Sequence, residues 1–181
     1  MFQYRKLRFI FVIVWSAFLA SCEDNKNKEI ILYKGPVQEV NNVEVLYSEQ
    51  GALKVQMKTP LQLTYRNENK VFPDTVNINF YNPEGSLITK LRADSGHYDK
   101  IQDVFVVLGN VRVVMSEENQ ILKTTELSWS PRTRKIFTDK PLTLRNNAKG
   151  EITKGVGMDA DQDFSHIKFR KGTGIYPIDN L

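Results

Sequence analysis

The feature that most restricts this chain is hydrophobicity that alternates with a period of two. In "TVNINFY", Thr75 to Tyr81, Val76, Ile78 and Phe80 fall on one side and Asn77, Asn79 and Tyr81 on the other. Successive side chains of a strand point to opposite faces, so such a segment buries one face and wets the other. "NPEG", Asn82 to Gly85, has Pro second and Gly fourth, the chemistry of a tight turn, and returns the chain into "SLITKLRA" as a hairpin. There Leu87, Leu91 and Ala93 share a face with Thr89. Upstream, "ALKVQMK" alternates Leu53, Val55 and Met57 against polar partners, and "LQLTYR" does the same with Leu61, Leu63 and Tyr65. Both read as half-solvated strands. "DVFVVLGNVRVVM" is apolar on both faces, with Val104, Val106 and Leu108 on one and Phe105 and Val107 on the other, which predicts a central strand covered on both sides. Gly109 and Asn110 are placed to bend or bulge it. No helical stripe of useful length occurs after the first 20 residues, and the short "SEENQ" run reads as a hairpin loop. The expected class is all-β.

Laying residues 91 to 114 over 122 to 145 sets Tyr98 on Trp129, Phe105 on Ile136, Val111 on Leu142 and Val113 on Leu144, a shift of 31. A weaker third unit supplies Met158, Ile167, Phe169 and a glycine break before Ile175. Each unit reads strand, polar turn, strand. Repeats of this length made of antiparallel strands imply stacked hairpins, each burying its face against the next.

The N-terminus has a different grammar. Arg5, Lys6 and Arg8 precede an apolar run from Phe9 to Ala20, followed by small residues, the layout of a secretory signal and too short to cross a bilayer as a helix. Leu19, Ala20, Ser21 and Cys22 resemble a bacterial lipobox, which makes Cys22, the only cysteine, the site of lipid attachment. Two or more acyl chains hold such an anchor stably. The expected organisation is a signal peptide over 1–21, a lipidated cysteine and polar tether over 22–34, and one β domain over 35–181. Removing the first 21 of 181 residues leaves 160, an ordinary size for a single core. The signal also takes three of the 25 basic residues, leaving 22 against 21 acidic ones. The apparent basic character is thus a targeting feature, and nucleic acid loses its support as a partner.

The segments "ITKLRADSGHYDKIQDVFVVLGNVRVV", "LKTTELSWSPRTRKIFTDKPLTL" and "GEITKGVGMDADQDFSHIKFRKGTGIY" together resemble the LptC family of lipopolysaccharide export proteins, in its lipobox-bearing branch. The most specific parts are Ala93, Asp94, Gly96 and Tyr98, the Leu108 to Val111 step, Thr124 to Leu127, and "GVGMDADQDF". The resemblance covers roughly Gly35 to Tyr176. It implies a twisted, partly open β-jellyroll of the LptA/LptC/OstA type that takes lipopolysaccharide from an inner-membrane ABC transporter and hands it to a periplasmic LptA-like jellyroll. Many family members keep a transmembrane helix where this chain has a lipobox. That places the protein in the periplasm, held by its lipid anchor to a membrane, with the inner one expected.

Within that frame the expected groove for lipid A acyl chains is lined by Val76, Ile78, Phe80, Leu91, Val104, Val106, Val111, Val113, Leu142, Leu144, Ile167 and Phe169. The expected outgoing edge is the last strand, with Ile167, Phe169, Ile175 and Tyr176, and strands near Val43 to Tyr47 face the transporter. Tyr98 and Trp129 read as core or as groove-lining aromatics. The one dense polar cluster, Asp94, His97, Asp99 and Asp103, lacks a nucleophile held by a base, and Asp94 and His97 have opposite parity in a strand. It reads as a turn, and His166 as a strand edge. No Gly-rich phosphate loop and no Cys/His metal spacing occurs, so no cofactor, metal site or catalytic residue is expected. The competing reading is a structural or adhesive outer-membrane lipoprotein whose sandwich is packed shut and binds only proteins.

Overall fold

The structure is a computed structural model that describes residues 32–175. The signal segment, Cys22, most of the tether and Tyr176 lie outside the described residues. Contacts divide the chain after Tyr33, and every described strand belongs to the unit that starts at Lys34. The strands are β1 (Gln38–Glu49), β2 (Ala52–Thr64), β3 (Lys70–Phe72), β4 (Val76–Tyr81), β5 (Leu87–Ala93), β6 (Ser95–Asp99), β7 (Val104–Met115), β8 (Gln120–Ser130), β9 (Lys135–Asn146), β10 (Glu151–Asp161) and β11 (Ile167–Ile175). All pairings are antiparallel.

The connectivity is simpler than eleven strands suggest. β3 and β4 pair in succession with β2 on one side, and β6 and β5 pair in succession with β7 on the other. Each couple is one run interrupted once, at residues 73–75 and at Asp94. The sheet is therefore a meander of nine consecutive antiparallel runs. Short turns join them, among them the Pro83 turn, where Gly85 (φ 82) donates its N–H to the Asn82 carbonyl at 3.1 Å. At the β6–β7 turn Asp99 accepts the N–H groups of Ile101 at 2.8 Å and Gln102 at 3.0 Å.

A flat sheet of nine runs with one apolar face has no partner to bury it, so this one folds on itself. Every run bends at its middle, and the bends fall in register along one line. They lie at Asn42 (φ 53), Pro60, residues 73–75, Asp94, Gly109 (φ 76) with Asn110 (φ 44), the register shift between Thr124 and Ser128, residues 139–141, Gly157 (φ 78), and Arg170. Along this crease each run passes from one layer of a sandwich to the other, the corner device of strands that switch sheets through bulges. The result is a jellyroll-like β-sandwich made from a single sheet. The 31-residue repeat is one up-and-down step of the meander, which is why its aligned positions Tyr98/Trp129, Phe105/Ile136 and Val111/Leu142 recur on the inner side.

The outside of the crease carries paired charge. Asp94 accepts from Asn110 Nδ2 at 2.5 Å and from Arg92 Nη1 at 2.7 Å, while its own N–H reaches the Leu108 and Gly109 carbonyls across the bend. Lys140 pairs with Glu126 at 3.5 Å, and Arg170 binds Asp139 and Asp159 together. The hydrogen bonds from Asn110 and Arg92 hold the Asp94 carboxyl below the usual aspartate value, and the bond from Arg170 does the same for Asp159.

Two alternation readings change at the crease. "ALKVQMK" and "LQLTYR" are one strand bent at Pro60. Val55, Met57 and Thr59 are buried before the bend and Gln62 after it, so Leu61 and Leu63 are left half-exposed and outside the core cluster. On β7 the bend consumes two residues, Gly109 and Asn110, which preserves parity. Phe105 and Val107 therefore join Val111, Val113 and Met115 on the inner side.

Replacing Gly109 with Ala is expected to lower stability by about 2 kcal/mol, from the left-handed backbone and a methyl 2.9 Å from Asp94 Oδ2, read from urea unfolding. The crease carboxylates also set an acid limit. Their folded values lie below 3.8, so their contribution is complete above pH 3.8 and is lost as pH falls through the lower folded values. Unfolding midpoints are expected to be level between pH 7 and 5 on their account and to fall below 3.8, with a smaller fall in Arg170→Ala.

Candidate functional site

The inner faces of the two layers make the candidate site. Val76, Ile78 and Phe80 of β4, Leu91 of β5, Val111 and Val113 of β7 and Leu142 of β9 all belong to one buried cluster, with Met57, Leu122, Leu127, Ile136 and Met158. Burying each such side chain is worth about 1.5–3 kcal/mol. Leu144, Ile167 and Phe169 are half-buried at its margin. Of the twelve residues expected to line a lipid groove, seven are in this buried cluster and three lie at its margin. Val104 and Val106 are the corrections: they lie on the opposite face of β7, outside the core cluster, and Phe105 and Val107 occupy the inner positions. The alternation pattern could not decide this, because both faces of that strand are apolar.

Aromatic rings hold the two layers together near β1. Tyr98 packs on Phe105 at 4.5 Å, Phe105 stacks on Trp129 at 5.3 Å, and Trp129 meets the edge of Tyr47 at 5.7 Å. Tyr47 is on β1 in one layer and Trp129 is on β8 in the other, so this contact crosses the interior. Beside it lies an apolar pocket of about 100 Å³ lined by Val45, Tyr47, Val55, Met57, Ile78 and Phe105 among others. Further along the rim, Arg134 of the β8–β9 turn pairs with Glu49 at the end of β1. A cavity of about 270 Å³ opens there between the layers, with Phe80 and Ile88 in its floor and Glu49, Lys54, Arg134 and Asp161 at its mouth. In the middle, side chains with no exposed surface, Val76, Val113, Leu122 and Met158, fill the interior.

The C-terminal end is closed by one ring. A Cβ built on Gly155 would fall 2.7 Å from Phe169 Cδ1 and 2.7 Å from the Lys171 carbonyl oxygen, and one on Gly172 would be 3.3 Å from Phe169 Cβ. Phe169 therefore lies over a floor that only glycine leaves flat. Beyond it β11 is an edge strand, and Ile175 is 68% exposed.

The three aspartates of the polar cluster are engaged locally: Asp94 and Asp99 as described, and Asp103 as acceptor from the Tyr98 hydroxyl at 3.0 Å. That bond and burial push the Tyr98 hydroxyl above its ordinary value, burial being the larger cause. His97, opposite Val106, points away from the Tyr98 side. His166 Nδ1 lies 3.0 Å from Asp161 Oδ2 at the start of β11. Among the described residues no group of three or more His, Cys, Asp or Glu converges on a metal-binding geometry.

The architecture and interior define a class, a jellyroll-like β-sandwich folded from one meander around an apolar core with two exposed edge strands. The sequence places it within that class. Residues 8–176 match the family described as Lipopolysaccharide-assembly, LptC-related, and the chain belongs to that family. It is thus an envelope component of lipopolysaccharide transport. No curated protein matches the chain.

The glycine floor gives a test of the C-terminal end. Gly155→Ala is expected to push β11 away without unfolding the rest, seen as amide exchange over residues 167–175 faster by on the order of tenfold, or ~1.4 kcal/mol, with exchange in β4 and β7 unchanged.

Proposed function

We propose that this protein is a non-enzymatic lipopolysaccharide carrier, which receives the lipid from an inner-membrane ABC transporter and passes it to an LptA-like periplasmic jellyroll. The observation that carries the reading is the run of inner apolar residues from β1 to β11, ending at both sides in edge strands with unpaired backbone groups. Val45 and Tyr47 lie at one margin and Ile167 and Phe169 at the other. Such edges are what strand addition by a neighbouring jellyroll uses. β11 is the outgoing edge and the strands around Val43 to Tyr47 face the transporter. Cys22 carries the anchor that holds the chain at the inner membrane.

Physical chemistry requires a covered route. Burying an acyl chain of about twelve methylenes is worth on the order of 10 kcal/mol at ~0.8 kcal/mol each, so water does not serve as the transit medium. A sealed pocket of that depth would not let its load go. A sandwich hinged along a bonded crease and closed at its rim by side chains alone admits the chain by parting at the rim. The filled middle of the interior favours a second reading, an envelope scaffold that binds only its protein neighbours.

Photoreactive residues in living cells separate these. At Leu144, on the inner margin, the expected adduct is lipopolysaccharide; at Val106, on the outer face, none is expected. At Ile175 the expected adduct is the partner jellyroll. Protein adducts at Ile175 with no lipid at Leu144 would establish the scaffold instead.

A further inference from the structure

The basic and acidic residues beyond the first 21 positions, 22 against 21, nearly cancel, yet the sandwich does not mix them evenly. In the layer that holds β4 and β5, the outward positions nearest the crease form one cross-strand row. It runs through Arg92 on β5, Arg112 on β7, Lys123 on β8, Thr143 on β9 and Lys154 on β10, each directly opposite the next. The neighbouring outward row on the same strands is Lys90, Val114, Ile121, Arg145 and Ile152. All six cations are exposed, and the three aliphatic residues between them are half-buried. No acidic residue stands in either row. Asp94, at the crease, meets Arg92 at 2.7 Å, and Glu117 and Glu118 lie beyond the strand ends in the β7–β8 turn. Lys90, Arg112, Lys123, Arg145 and Lys154 have no ion-pair partner among the described residues. The acids gather at the crease and on the other layer, where Asp139, Asp159 and Asp161 are paired with Arg170 and Lys135.

Like charges directly opposite one another on neighbouring strands are destabilising. Arg112 beside Lys123, with no acid between, therefore costs the free protein stability that an external anion restores. Four strand spacings separate Arg92 from Lys154, about 19 Å, so the cations spread over a broad sheet face and do not converge on a single point. A spread of cations interleaved with aliphatic side chains matches a surface of many anions over an apolar layer. We propose that this outer face docks on the anionic phospholipid surface of the membrane that carries the chain's anchor. The inference rests on the anchor proposed at Cys22. Gln38, where β1 begins, lies 16 residues after Cys22, a tether that reaches at most about 55 Å at ~3.5 Å per residue. Tethering makes docking intramolecular, so contacts that are weak and screened by salt suffice to hold the face down and still let it lift. Docked in this way, the protein keeps its interior and both edge strands free of the bilayer.

The test uses the full chain in vesicles, with a fluorescent amino acid at Thr173 or, in a second protein, at Lys168. Both positions are exposed on β11. Thr173 is opposite Lys154 on the basic layer, and Lys168 is opposite Asp159 on the other. In vesicles of phosphatidylcholine with phosphatidylglycerol and a nitroxide headgroup lipid, quenching is expected at Thr173 and not at Lys168. It is expected to vanish in about 1 M salt, where the screening length is about 3 Å, and in phosphatidylcholine alone. Arg112→Gln with Lys123→Gln is expected to lower the ratio of docked to undocked protein about thirtyfold, whereas Arg112→Lys with Lys123→Arg keeps it. Equal quenching at the two positions, or none at Thr173, would overturn the docking face and leave the carrier standing. Quenching at Thr173 only when phosphatidylglycerol is replaced by lipopolysaccharide would overturn the phospholipid surface in favour of the cargo's phosphates. Failure of the chain to float with vesicles in high salt would remove the anchor, while selective quenching at Thr173 in low salt would still support the face.

Discussion

The bend shared by every run of the sheet is the constraint on which the rest depends. A single antiparallel meander has one apolar face to bury, and it buries that face against itself only if all nine runs turn a corner at the same level. The chain meets this with local chemistry that differs from run to run: a left-handed Asn42, Pro60, the Asp94 break, the Gly109–Asn110 pair, Gly157. The outside of the corner is then crossed by hydrogen bonds and ion pairs, with Arg92, Asp94 and Asn110 in the centre and Arg170, Asp139 and Asp159 toward the end. Singly, exposed pairs of this kind are worth little. Their value here is geometric, since they fix the angle at which two layers meet.

This explains which features were legible in the sequence. Strand periodicity and turn residues gave the order of elements, and the repeat of 31 marked the pitch of the meander. Parity across the bends was not legible. Gly109 and Asn110 announce a bend but do not say how many residues it consumes, and on a strand apolar on both faces either answer fits the pattern. The pattern alone puts Val104 and Val106 inward as readily as Phe105 and Val107, and it is the latter pair that the fold packs on the core. At Pro60 the converse happened: buried Gln62 and outward Leu61 and Leu63 reverse what hydrophobicity alone indicates. Phe164, in the turn between β10 and β11, left a single trace, an aromatic among polar turn residues, and nothing local reveals that it crosses to Phe80 in the other layer. The Ala93 to Tyr98 motif gains a physical account. Asp94 ties the bend, Gly96 has no room for a Cβ beside the Val106 carbonyl at 2.8 Å, and Tyr98 begins the aromatic contact between layers.

The two long margins of the sandwich are unequal. One is the crease, crossed by nine covalent runs; the other is a rim held by the Tyr47–Trp129 and Phe80–Phe164 contacts and the Glu49–Arg134 pair. Aromatic contacts add about 0.5–1.5 kcal/mol each beyond their burial, and a surface pair up to about 1 kcal/mol. Any opening of the interior therefore takes place at the rim, with the crease as hinge.

That asymmetry bears on release, the harder half of carriage. A chain whose burial is worth on the order of 10 kcal/mol leaves an equally large deficit if its place stays empty. An interior that closes behind it removes most of the deficit, because side chains such as Phe80, Ile78 and Leu142 then bury against one another instead of against lipid. Under the proposed carriage, the filled interior of the empty protein is the state that lets the load go. The neighbour's interior takes the chain as this one collapses, and the exchange nearly balances in free energy. On that proposal the direction of flow comes from outside the sandwich, from the proposed transporter that pushes the next molecule in.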